Sequence, residues 1–139
     1  MRRLSDIIFN QDPLIVPLTT TVKSACQEMS RRRAGSALVT DDTGALVGIF
    51  TGRDAVCRVL ADGKDSSTTS VSEVMSRDPV TMTPDKTAID ALRLMWDGGF
   101  RHVPLVQGDR LVGVVSRGDF AGDEHARLEE ERALWEHMR

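Results

Sequence analysis

Tyrosine is absent from the chain, and aromatic residues make up only 4% of it. Any core must therefore be aliphatic. Cysteine is scarce too: Cys26 and Cys57 lack CxxC spacing, and His102, His125 and His137 are scattered. That pattern excludes the usual structural zinc frameworks, and two isolated thiols fit the reducing cytoplasm. No stretch approaches the ~18 apolar residues that a membrane span needs. The start, Met1-Arg2-Arg3-Leu4-Ser5-Asp6, leads into no apolar run of a secretion signal. Charge of one sign is also lacking, with a net charge of −3. There is no broad basic surface for nucleic acid and no attraction to anionic membranes. The expectation is a cytoplasmic protein that binds neither nucleic acid nor membrane.

What is present is a chain of 139 residues, 40% hydrophobic, with enough Leu, Val, Ile and Ala to build a core. Its main feature is an internal repeat. Gly48-Ile49-Phe50-Thr51-Gly52-Arg53-Asp54 recurs as Gly113-Val114-Val115-Ser116-Arg117-Gly118-Asp119, with Leu46-Val47 matching Leu111-Val112. Upstream, Asp12-Pro13 matches Asp78-Pro79, and Leu4-Ser5-Asp6-Ile7-Ile8 resembles Val71-Ser72-Glu73-Val74-Met75. Matched blocks in one order indicate a duplication.

Each copy reads alike. A short apolar strand, 15–18 or 80–82, precedes a helix. Val22, Ala25, Cys26 and Met29, and likewise Ala88, Ala91, Leu92 and Met95, fall at i, i+3, i+4, i+7. Thr20 and Pro84-Asp85 signal the helix starts, and Gly35 and Gly98-Gly99 the ends. A hairpin follows in each copy, turning at Asp41-Asp42-Thr43-Gly44 and at Gly108-Asp109. A second helix is expected after Thr51 and after Ser116. The order is βαββα twice, an α/β (α+β) fold. The first unit covers 4–62, a polar linker 63–70 and the second unit 71–122. A charged helix over 123–139 is an addition outside both sites, and its Leu128, Leu134, Trp135 and Met138 are apolar enough to dock it on the module or on a second subunit.

The strand–turn–strand–Gly-x-x-Thr/Ser-x-x-Asp pattern resembles the CBS domain, and two in tandem resemble a CBS pair, or Bateman module. The most specific part is Phe100-Arg101-His102-Val103-Pro104-Leu105-Val106 leading into Leu111 through Asp119. The first copy is more degenerate, with Gly35-Ser36-Ala37-Leu38-Val39 in the place of His102 onward. The resemblance implies two pseudo-symmetric units packed sheet to sheet, with two clefts for an adenosine ligand such as AMP, ADP, ATP or S-adenosylmethionine. It also implies a homodimer and a ligand signal passed to a partner protein. The small residues Ala25, Cys26, Ala91 and Leu92 are expected to suit close packing in such a dimer.

The second site would comprise Met82, Arg101, His102, Val103, Pro104, Ser116, Arg117 and Asp119. A helix starting at Ser116 would offer unpaired N–H groups to a phosphate, with charge from Arg101 or Arg117. Asp119 would accept from the vicinal ribose hydroxyls. Backbone groups at 101–104 would meet the adenine edge, with Val103 and Met82 as apolar walls. The first site would comprise Val16, Gly35, Ser36, Ala37, Thr51, Arg53 and Asp54. The same Ser/Thr-x-x-Asp spacing also fits a helix-capping box with no ligand at all.

Blander roles suit the remaining residues. Cys26 and Cys57 read as small hydrophobes, Met29, Met95 and Trp96 as core, and Arg31-Arg32-Arg33 as a solvated helix end. No nucleophile–base pair, metal cluster or phosphate-transfer loop is present, so no catalysis, cofactor or metal is expected. The leading reading is a regulatory adenine-nucleotide sensor acting in trans. The alternative is a CBS-fold scaffold that dimerises without a nucleotide.

Overall fold

The computed structural model describes residues 1–138, with side chains as far as Glu136. Arg139 and the side chains of His137 and Met138 lie outside the described residues, so the apolar role expected of Met138 does too. Along the chain run α1 (Leu4–Ile7), β1 (Ile15–Pro17), α2 (Val22–Arg32), β2 (Ser36–Thr40) and β3 (Leu46–Thr51). Then come α3 (Gly52–Asp54), continued as a π-helix over Ala55–Leu60, α4 (Val71–Val74), β4 (Ser76–Arg77) and α5 (Ala88–Gly98). The chain closes with β5 (His102–Gln107), β6 (Arg110–Ser116), a 3-10 turn (Arg117–Asp119) and α6 (Gly122–Met138).

Local chemistry sets the element ends. Thr21 and Thr87 cap α2 and α5 by accepting from the amides of Ser24 and Asp90, one residue and a few residues beyond the expected starting signals. Gly99, at φ 72°, closes α5 in the left-handed conformation that glycine tolerates. At the end of α2 that conformation falls instead on Arg33, at φ 54°.

The packing units cut the chain differently from the repeat. Asp12–Pro79 forms one compact unit, and Met1–Gln11 with Val80–Arg139 forms the other. In the first, β1 pairs parallel to β2, β2 antiparallel to β3, and β3 antiparallel to β4. Its core gathers Val16, Val22, Ala25, Met29, Ala37, Val39 and Phe50, and α4 adds Val71, Val74 and Met75. Residues 71–75 open the second repeat in sequence yet pack with the first. In the other unit β5 and β6 form a hairpin, and Met82 forms an isolated bridge to Leu105 in place of a full strand. Its core joins Ala88, Ala91, Leu92, Met95, Val103, Leu105 and Val115 to Leu4 of α1, Phe120 and Leu128 of α6.

The duplicated glycines explain how the exchanged segments fit. Gly48 and Gly113 do not need positive φ; each lets a neighbour approach. A Cβ on Gly48 would collide with the Met75 side chain, and one on Gly113 would lie 2.9 Å from Ile8 Cγ2. Met75 and Ile8 are themselves matched in the repeat, so the two contacts are equivalent. On the outer edge of β6 the Gln11 amide acts as a surrogate strand. It donates to the Val114 carbonyl and accepts from the Val114 N–H, both at 2.7 Å.

Several expected placements differ. Ala25, Ala91 and Leu92 are each 0% exposed in the chain, so they offer no surface to a second subunit. Cys57 is exposed, whereas Cys26 is partly buried and burial pushes its thiol up. Met29 and Met95 are core residues, but Trp96 is half-exposed beneath two guanidinium groups, those of Arg117 and Arg132. Arg31 pairs with Glu28, and Arg32 with Asp12.

The helix expected to follow Ser116 directly is a single 3-10 turn. Phe120 then adopts extended backbone (ψ 143°) before α6 begins. Read from sequence as an addition that docks on the module or a second subunit, α6 packs on its own unit through Leu128, whereas Leu134 and Trp135, expected to help bury it, are exposed. Leu128 is 1% exposed, Glu131 pairs with Arg93 at 2.7 Å, and Arg132 pairs with Asp97 at 3.1 Å.

Candidate functional site

In the unit containing β5 and β6, hairpin register places His102 opposite Ser116. The Arg117 N–H donates to the Arg101 carbonyl at 3.1 Å, and the Met82 N–H to the Pro104 carbonyl at 3.1 Å. Residues 101–102 and 116–117 thus meet at the open end of the hairpin, while Met82 joins β5 farther along, at Leu105. Each of those carbonyls retains a second lone pair. Val103 is 0% exposed and lies in the unit's own core, so its side chain does not form a wall; Met82 is only partly buried. His102 is partly buried and Arg101 exposed.

Asp119 and Ser116 form a capping box. The Ser116 N–H donates to Asp119 Oδ2 at 2.7 Å and the Ser116 hydroxyl to the same oxygen at 3.2 Å. Both bonds land on Oδ2. Asp119 is exposed, and its Oδ1 has no protein partner among the described residues. Arg117 is held from two sides in this geometry, while its buried Nε has no hydrogen-bond partner among the described residues. Its Nη2 donates to the Met95 carbonyl at 3.2 Å, and its guanidinium sits 4.6 Å from the centre of the Trp96 ring. The indole face holds the cation through its quadrupole. A three-residue turn also aligns too few peptides for an appreciable dipole. Arg101 is exposed beside the same turn, so both cations named from the sequence stand at this end of the hairpin.

The first unit builds the same frame and closes it. The Gly52 N–H donates to the Gly35 carbonyl at 3.3 Å, and Ser36 faces Thr51 in register. Asp54 Oδ2 accepts from the Thr51 N–H at 2.9 Å and from its hydroxyl at 3.1 Å, while the Asp54 N–H donates to Thr51 Oγ1. Asp54 is only 7% exposed, and its Oδ1 lies 3.6 Å from Arg58 Nε. Arg58 also donates to the carbonyls of Val74 and Met75 at the end of α4. Ser36 and Ala37 are buried, Val16 lies in the core, and Gly35 and Arg53 are exposed.

Sequence reasoning passed over Arg58, Arg2 and Glu124, and it read Trp96 as core. The i,i+4 spacing of Asp54 and Arg58 was a readable signal; the stacking of Arg117 on Trp96 had none.

Among the described residues no helix is long and apolar enough to cross a membrane, and no cluster of metal-ligating side chains occurs.

The model for the CBS domain matches this chain twice, over residues 4–60 and 71–123. CBS domain-containing protein CBSCBSPB3 of Arabidopsis thaliana is 38% identical over 116 residues, 84% of this chain and 21% of that protein. The chain thus spans about a fifth of that relative's length. CBS domain-containing protein YhcV of Bacillus subtilis is 35% identical over 121 residues, covering 87% of this chain and 84% of the relative. The solved structure of a CBS domain protein from Pyrobaculum aerophilum complexed with AMP superposes with a TM-score of 0.80. It is 25% identical, and the match covers 92% of this chain and 98% of that one. With the duplicated frame and both matched segments in agreement, the chain belongs to the CBS domain family, as a tandem pair of CBS domains.

Proposed function

We propose that the protein is a regulatory module that binds an adenine nucleotide, AMP or ATP in type, and signals its occupancy to a separate partner protein. It does no chemistry of its own, works in the cytoplasm and forms a homodimer. The observation that carries this reading is the contrast between two carboxylates at matched positions. Asp119 is exposed, and its Oδ1 has no hydrogen-bond partner among the described residues, whereas Asp54 is buried and both its oxygens are engaged. Only the second site has an acceptor ready for ribose hydroxyls. Arg101 lies beside it for phosphate, and the backbone at 101–104 for the base. The AMP complex of the Pyrobaculum relative supports the ligand class.

Calorimetric titration with AMP, ADP, ATP, NAD and S-adenosylmethionine tests the reading. Asp119→Ala should weaken the ligand that binds about tenfold to a hundredfold, since hydrogen bonds to a charged group contribute roughly 1.5–3 kcal/mol each. Asp54→Ala should leave that affinity near wild type and lower stability instead. Equal binding by Asp119→Ala with its fold intact removes the assignment.

A second reading has its own support: Thr51 with Asp54, and Ser116 with Asp119, both form capping boxes. A scaffold without a ligand needs nothing more, and a silent titration panel selects it.

A further inference from the structure

The two matched turns end differently. After Asp54 the chain continues directly into the π-helix over Ala55–Leu60, so the turn is braced by its own helix. After Asp119 the backbone becomes extended at Phe120, and the Asp119 carbonyl is left without a helical partner. A carbonyl of this kind takes its donor from water or from another segment of the chain.

Arg2 supplies it. Its Nη2 donates to the Asp119 carbonyl at 2.8 Å and to Glu124 Oε1 at 2.7 Å, while its Nε reaches Glu124 Oε2 at 3.3 Å. Glu124 lies in the first turn of α6, its side chain is 11% exposed, and its Oε1 also accepts from the Ala121 N–H at 2.8 Å. Arg2 in turn is fixed by its backbone, since its carbonyl accepts from the Ala88 N–H at the start of α5. Arg2 thus ties the Asp119 turn to α6 through its guanidinium and to α5 through its backbone. A second tie runs through Trp96, with Arg117 of the turn 4.6 Å from the ring centre and Arg132 of α6 5.9 Å from it.

We propose that Arg2 and Glu124 are positioning residues for the second site, holding the Asp119 turn in its receiving geometry and coupling nucleotide binding to the docking of α6. The inference rests on the reading that Asp119 receives the ribose. Coupling of this kind is reciprocal. Nucleotide tightens α6, and anything that draws α6 away weakens nucleotide binding. Opposed hydrogen-bonding shifts agree with a tightly held pair: burial alone would raise the Glu124 carboxyl, yet the bonds from Arg2 and Ala121 hold it below its ordinary value.

The test uses the full chain with AMP as the probe, measuring affinity by calorimetry and α6 amide protection by hydrogen exchange. Arg2→Gln and Glu124→Gln should each weaken AMP binding about fivefold to tenfold, and the double variant little more, because both remove the same tie. In wild type AMP should slow exchange along α6; in Arg2→Gln, saturated with AMP, that slowing should vanish. Arg2→Lys should recover only part of the effect, since an ammonium cannot reproduce the forked geometry, and it serves where Arg2→Gln folds poorly. If AMP binds in an Asp119-dependent way but neither variant changes affinity, or α6 exchange ignores AMP, the coupling is refuted and the nucleotide reading stands. If wild type binds ATP and not AMP, ATP serves as the probe with the same expectations; if it binds none of the nucleotide panel, both fall.

Discussion

Replacing Leu128 by Ala removes three carbon atoms from a side chain that is 1% exposed in the core shared by α5, β5 and β6. Buried Leu→Ala changes cost about 2–5 kcal/mol, the spread reflecting how far the surroundings can collapse. Here the lower half applies. Beyond Glu131 every described residue of α6 is exposed, so the helix can settle toward the gap, and the expected loss is about 2–3 kcal/mol. For a unit of this size that corresponds to a fall in Tm on the order of 10 °C. Leu134 sits on the same helix at 61% exposure and serves as the control. Leu134→Ala should stay within about 0.5 kcal/mol of wild type. Urea unfolding followed by circular dichroism measures both, with the midpoint shifting at constant slope if only stability changes. Equal effects from the two substitutions, or a Leu128→Ala protein as stable as wild type, would refute the claim that α6 is part of the unit's core.

Gly113→Ala should destabilise by about 1–3 kcal/mol, because the new Cβ would lie 2.8 Å from Gln11 Oε1 and 2.9 Å from Ile8 Cγ2. Gly52→Ala, with nothing within 4 Å and no positive φ, should be neutral or slightly stabilising in the same thermal melts. Acid should act through carboxylates held low in the folded state. The Thr87 amide and hydroxyl keep Asp90 below its ordinary 3.8, and Arg2 with Ala121 keeps Glu124 below its ordinary 4.5. Depressed values mean that the unfolded chain takes up protons first. Their contribution is therefore complete above about pH 5 and is lost as pH falls through the folded values. Urea midpoints taken down to about pH 3 should show this decline, and Arg2→Gln should make it shallower; an unchanged slope in that variant contradicts the role given to Glu124.

Much of this protein was legible in the chain because its determinants are local. The duplicated Gly–Asp blocks, the apolar face at Ala88, Ala91, Leu92 and Met95, and the hairpin turns at Gly44 and Gly108 each follow from short-range sterics and hydrophobic period. The Ser/Thr-x-x-Asp capping boxes were equally readable, since a cap involves residues only three apart. Tertiary structure decided what depends on contacts between distant segments. Leu4 and Val71 open matched blocks of the repeat, but only the path of the chain places each four-residue helix in the core of the other block's unit. Arg117 carries a charge that the sequence offers, along with that of Arg101, to a phosphate. Only the tertiary structure sets its guanidinium against the indole of Trp96, 21 residues earlier, where stacking favours a partly desolvated cation. The difference between Asp54 and Asp119 is likewise tertiary. Identical capping chemistry leaves one carboxylate closed by Arg58 and the other open to solvent, and burial and partner, not residue type, determine which can receive a ligand.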